Sequence, residues 1–216
     1  MKFRLLATGF ALGIGAAMMC SQALSQDQAG QAPSPEQMQD MMKQWMASTQ
    51  PGPQHKMMES SIGTWDTTTK MWMAGPGGDP TETKGVAERK WVLDGRFIME
   101  ELKSEFPMEA MSGGQAKNIP WNGMGLFGYD RFRNMYVGCW ADTMGTQLLT
   151  MKGTASPDGT VFTYYGEMDE PMMGVIGRTV KFQTKVVDND THVFSIYDLH
   201  AGDDYKVVEV TYKRRK

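Results

Sequence analysis

The chain places Gly63-Thr64-Trp65 where its first clear strand pattern begins and Tyr212-Lys213-Arg214 where its last one ends. Between them lie only short strand patterns punctuated by turns. A sheet that opens on a tryptophan and ends on an arginine can join its own edges. Gly63 lets backbone pass close, Trp65 plugs one end, and Arg214 lies over the indole as a cation on a π face. Gly63, Trp65 and Arg214 are thus the expected closure of an all-β, antiparallel, up-and-down barrel with an enclosed pocket.

Ten strands are expected, over 63–73, 81–93, 96–106, 121–130, 134–142, 145–155, 160–168, 176–188, 191–199 and 204–214. No stretch between them has the length and periodicity of a helix. A meander of ten strands removes its two edges by closing, and ten tilted strands leave room for an internal cavity.

Counting connections alternately assigns them to opposite ends. One end has tight turns at Asp94-Gly95, Asp130 to Asn134, Ser156 to Gly159 and Asp188 to Asp190, and it also holds Trp65 and Arg214. The other end receives longer segments rich in Gly and Pro: Ala74 to Pro80, Pro107 to Pro120, Asp142 to Gly145, Asp169 to Val175 and His200 to Asp204. Such loops on a rigid scaffold form an entrance. They bring Asp79, Glu109, Asp142, Asp169, Glu170, Asp203 and Asp204, whereas the plugged end brings Arg96, Arg131, Arg133, Lys213, Arg214 and Arg215. A negative mouth disfavours anionic ligands and suits neutral or cationic ones.

The N-terminus reads as an export signal over residues 1–25. Lys2 and Arg4 supply the positive start, Leu5 to Met19 the apolar run, and Ala23-Leu24-Ser25 the small-residue cleavage site. The apolar run is too short and Gly-rich for a membrane span. Soluble export, to the periplasm, is favoured over a lipid anchor on Cys20, because bulky Met18 and Met19 precede that cysteine. Cleavage leaves Cys139 as the single thiol, so the mature chain has no internal disulfide. It also leaves 20 basic against 25 acidic side chains. A mildly acidic chain without basic runs argues against nucleic acid as a partner.

Residues 26–53 divide into a polar spacer and an amphipathic helix. Ser34 caps, Pro35 opens, Gln37 completes a capping box, and Met38, Met41, Met42, Trp45 and Met46 form one stripe. A second short helix is expected over about 55–61, and both helices are expected to pack on the closed end. Residues 54–216 then form the barrel domain.

Within the pocket, period-two alternation puts Tyr136, Trp140 and Asp142 on one strand face, with Asp142 nearest the entrance. A ligand stacking on the indole could donate to the carboxylate; a core tryptophan and a turn aspartate explain the same pattern. Adjacent Glu100 and Glu101 point to opposite faces and cannot share a substrate. Glu100 facing inward needs a partner, which Arg89 or Arg178 could supply. The three histidines lack zinc-like spacing, so no metal site is assigned. His200 with Met172 and Met173 is a weak copper(I) candidate, since thioethers suit that ion. A haem on a histidine is conceivable, but no residue demands it, and no cofactor is expected. No nucleophile motif accompanies Cys139, and no phosphate-cradling glycine loop occurs.

Several segments resemble an uncharacterised secreted bacterial family, domain-of-unknown-function family 1579. They include Pro51-Gly52-Pro53-Gln54-His55, Gly63-Thr64-Trp65, Leu93-Asp94-Gly95-Arg96-Phe97, Gly125 to Asp130, Tyr136 to Asp142, Gly166 to Pro171, Asp190 to Phe194 and Glu209 to Tyr212. The resemblance covers nearly everything from about residue 51 onward. It implies a calycin barrel, lipocalin-like or fatty-acid-binding-protein-like, and no established activity. The functional expectation is an exported barrel binding a small apolar or amphipathic molecule that is not strongly anionic. The alternatives are an enzyme using Asp142 or an inward Glu as acid or base, and a partner-binding or copper-binding envelope protein.

Overall fold

Strand after strand pairs with its sequence neighbour, and the first pairs with the last. The computed structural model describes residues 32–170 and 174–216; the expected export signal with Cys20, and Met172 and Met173, lie outside them. Residues Ser48–Lys216 form one compact unit, and the chain up to Ala47 forms another. In the latter, α1 (Pro35–Ser48) starts on the expected capping box: the Ser34 Oγ accepts from the Gln37 N–H at 3.2 Å, and the Gln37 side chain accepts from the Ser34 N–H at 2.8 Å. None of its residues is buried.

The larger unit is a closed ten-stranded antiparallel barrel. Its strands are β1 (Gly63–Met71), β2 (Thr81–Val92), β3 (Phe97–Phe106), β4 (Ile119–Asp130), β5 (Met135–Asp142), β6 (Leu149–Ala155), β7 (Val161–Glu170), β8 (Val175–Asp188), β9 (Thr191–Asp198) and β10 (Lys206–Arg214). All ten expected strands are present. β6 starts four residues later than expected, and the β3–β4 loop holds a one-turn helix, α3 (Met108–Met111). The helix expected over 55–61 divides into α2 (Pro53–Lys56) and a 3₁₀ turn, Glu59–Ser61.

Closure pairs β1 with β10, and Trp65 lies opposite Arg214 in that register. Side chains alternate inward and outward along each strand, so residues such as Ile98, Leu102, Phe162 and Phe182 fill the interior. Each large apolar side chain so buried contributes roughly 1.5–3 kcal/mol. Two packed clusters result. One gathers Met58, Ile98, Tyr136, Met151, Phe162 and Phe182; the other gathers Trp65, Ala87, Leu102, Val210 and Tyr212.

The chain entering β1 closes the tight-turn end. The Tyr136 hydroxyl donates to the Gln54 carbonyl at 3.2 Å, and Met57 and Met58 join the first cluster. Buried His55 accepts the Gly52 N–H on Nδ1 at 3.0 Å. Its pKa is lowered, first by burial and then by Arg131 and Arg96. No helix among the described residues is long and apolar enough to cross a membrane.

Candidate functional site

The interior holds a cavity of about 450 Å³, within the range of small-molecule sites. Its two ends arrange tryptophan and charge differently. At the closed end, Trp65 is 0% exposed and its indole N–H donates to the Ser61 carbonyl at 2.9 Å. The Arg214 guanidinium carbon sits 4.2 Å from the centre of that ring. Arg214 is held in place by donating to the carbonyls of Asn189, Ile62 and Ser60 at 2.7–2.9 Å, and by an ion pair with Asp190 at 3.2 Å. Gly63 makes room for it. Its φ is 131°, and a Cβ there would lie 2.6 Å from Arg214 Nη1.

His192, fully buried and lining the cavity, packs on Trp65 with ring centroids 4.6 Å apart. Neither ring nitrogen has a hydrogen-bond partner. Burial, and then the cations of Arg89 and Arg214, hold its pKa down to about 4, against an opposing pull from Asp188. The ring is therefore neutral at ordinary pH.

Beside this cork lies a buried polar triad. Arg89 Nε donates to Glu100 Oε2 at 3.0 Å, the Tyr212 hydroxyl donates to Glu100 Oε1 at 3.0 Å, and the guanidinium carbon stands 4.1 Å from the Tyr212 ring centre. Burial pulls the Arg89 pKa down, but the Glu100 charge and the Tyr212 contacts outweigh it and the net shift is upward. Burial, with the Glu100 charge next, pushes the Tyr212 hydroxyl up, so it stays protonated. Glu100 thus has both oxygens engaged by the cavity floor.

The mouth is aromatic and acidic. Trp121 of β4 and Trp140 of β5 stack with centroids 6.0 Å apart and planes 26° from parallel. Trp140 lies flat because β4 opposite it carries Gly123 and Gly125; a Cβ at Gly123 would fall 2.1 Å from the indole. The Asp142 carboxylate accepts the Trp140 indole N–H at 3.2 Å and the Met144 N–H at 2.9 Å. Glu105, Glu167 and Asp169 also border the opening.

The structure distributes the sequence candidates unevenly. Arg89, Glu100, Trp140 and Asp142 line the cavity, the first two at its floor and the last two at its mouth. Tyr136 is buried below the cavity wall and is not among its lining residues; its hydroxyl is spent on Gln54 and Met57. Arg178 does not reach Glu100. It lies toward the mouth end of β8 and pairs with Asp198 of β9 at 2.8 Å, away from the cavity lining. His200 is exposed on the β9–β10 turn. Among the described residues no three His, Cys, Asp or Glu side chains converge as a metal site.

Trp121, Tyr212 and His192 were not singled out as pocket residues from sequence. Alternation could have found His192, which shares its inward face with Phe194 and Ile196.

A family model described as protein of unknown function (DUF1579) matches residues 50–214. The chain belongs to this family. The matched span begins just before α2 and ends on Arg214, so it contains both cork and mouth. No curated protein matches the chain. Among solved structures, it is similar to Rv2717c from M. tuberculosis, with a TM-score of 0.52 and 15% identity over 77% of this chain and 100% of that one. It also matches the S-type phycobiliprotein lyase CPES from Guillardia theta, with a TM-score of 0.46 and 12% identity over 74% of this chain and 92% of that one. The first likeness shows a shared barrel fold in this DUF1579 member.

Proposed function

We propose that this protein is an exported barrel that carries a small apolar or amphipathic, not strongly anionic molecule. The observation that supports it best is the cavity itself: enclosed by a closed sheet, lined mostly by apolar and aromatic side chains, and corked at one end only. Such sites bury most of a ligand's surface and place few polar groups with care. Two of the acidic groups among them are engaged within the protein. Glu100 is held by Arg89 and Tyr212, and Asp142 by an indole and a backbone N–H, which favours binding over acid–base chemistry. Export to the periplasm rests on the signal pattern of residues 1–25.

Native mass spectrometry of protein isolated from the periplasmic fraction tests both parts. The expected result is a chain beginning at Gln26 that carries a non-covalent organic adduct. Trp140→Ala is expected to lose the adduct while keeping the far-ultraviolet spectrum of a folded barrel. A cytoplasmic, uncleaved chain would refute export, and an adduct unaffected by Trp140→Ala would refute the assigned pocket.

A further inference from the structure

We infer that the mouth recognises a positive charge, and that the molecule carried is an amphipathic amine or quaternary ammonium. This rests on the carrier reading above and specifies the chemistry of its ligand. The ammonium would sit against the Trp121–Trp140 pair and Asp142, with its apolar tail running toward the floor.

Asp142 carries the argument. It ends β5 on the inward face, half-buried, and no Lys, Arg or His among the described residues forms an ion pair with it. A carboxylate offers about four lone-pair sites. Two donors reach it here, Trp140 Nε1 and the Met144 N–H, and both are neutral. A neutral ligand covering this carboxylate would strip it of water without compensating its charge, and an anion would be repelled. A cation satisfies it.

The indoles beside it supply the second half of the site. Both tryptophans line the cavity and stack on one another beside Asp142. A cation within about 6 Å of an indole centroid gains roughly 0.5–2 kcal/mol. Burial of the head between ring and carboxylate is the arrangement by which aromatic sites hold ammonium groups.

The rest of the cavity fixes which way the ligand points. Arg89 is the only Lys or Arg among the described residues that lines it, and Glu100 neutralises that charge at 3.0 Å. Arg178, nearer the opening, is answered by Asp198. His192, fully buried at the floor with both ring nitrogens unpartnered, is neutral. The floor therefore offers no free charge of either sign, whereas the opening adds Glu105, Glu167 and Asp169 to Asp142. The potential becomes more negative from floor to rim, so the charged head stays at the rim.

Three probes with one tail separate the possibilities: decyltrimethylammonium, decanol and decanoate, each titrated calorimetrically into the mature chain below its aggregation concentration. The expected order is decyltrimethylammonium about tenfold tighter than decanol, with decanoate weakest. In Asp142→Asn the preference for the ammonium over decanol falls to about twofold. A second measurement needs no variant: raising salt about tenfold weakens the ammonium and leaves decanol unchanged. Decanol binding as tightly as the ammonium, decanoate binding tightest, or Asp142→Asn weakening all three alike overturns the inference while leaving a carrier of neutral molecules. Failure of the wild-type chain to bind any of the three overturns the inference and the carrier reading together.

Discussion

The corked end and the mouth are built from the same residue types, tryptophan and charge, arranged to opposite purpose. At the cork, Trp65 packs against both a guanidinium and an imidazole, and Arg214 spends its donors on three carbonyls of the chain. At the mouth, Trp140 lies over glycines with Asp142 beside it, and no cation of the chain pairs with that carboxylate among the described residues. A tryptophan whose charged neighbour is tied to the chain stabilises the fold. One beside a carboxylate without a cation of its own is available to a ligand.

The comparison is sharpest where the cost of losing a partner is greatest. Glu100→Ala strands the buried Arg89 charge and is expected to cost about 3–5 kcal/mol in urea unfolding. The double change Arg89→Met with Glu100→Leu should recover most of it, because neither charge then remains buried. Full stability in the single variant would show that the triad is not a buried structural unit.

Arg214→Ala removes three charged hydrogen bonds and the cation over Trp65, at an expected cost of about 3–4 kcal/mol. Lysine should not restore it, since one ammonium cannot span carbonyls at Ser60, Ile62 and Asn189. A Tm equal to that of the wild type in either variant would dissolve the cork.

A smaller effect is expected from pH. His192 ionises near 4 in the fold against an ordinary 6.5, so the unfolded chain takes up its proton first on acidification. Stability should be independent of this group above about pH 6.5, fall by about 2–3 kcal/mol toward pH 4, and change no further below that. Protonation would set a third cation beside Arg89 and Arg214, opposed only by Asp188, with Trp65 and Tyr212 as the uncharged neighbours. His55 acts in the same direction, so the informative quantity is the difference between wild type and His192→Phe. Identical pH profiles for the two would remove His192 from the account.

Least is expected of stability at the mouth. Gly123→Ala displaces the Trp140 ring, which can swing toward solvent, so a cost of about 1 kcal/mol is expected alongside loss of bound ligand. A large fall in Tm with binding retained would reverse the roles assigned to the two ends.

Much of this division was legible without coordinates. Alternating turns placed Trp65 and Arg214 at one end and Asp142 at the other, because each strand of a meander reverses the chain once. Alternation along a strand also turned Glu100 inward and Glu101 away from it. It could not choose between Arg89 and Arg178 as the partner, since both have inward parity. That choice depends on height along the barrel: Arg89 pairs directly across from Glu100 in the β2–β3 register, whereas Arg178 sits near the opposite end, beside Asp198. Tyr136 failed to reach the cavity for a related reason. The chain before β1 folds beneath it and occupies its hydroxyl, a contact separated by 82 residues.

Sequence by itself determined the number and order of strands and which end is tied shut, because turn chemistry and side-chain alternation act over a few residues. Tertiary structure alone decided which side chains meet across the lumen: Arg89 with Glu100 and Tyr212, His192 with Trp65, Trp121 with Trp140. Those meetings follow from inter-strand register and barrel curvature, which are set by packing the whole interior at once and leave no local mark in the chain.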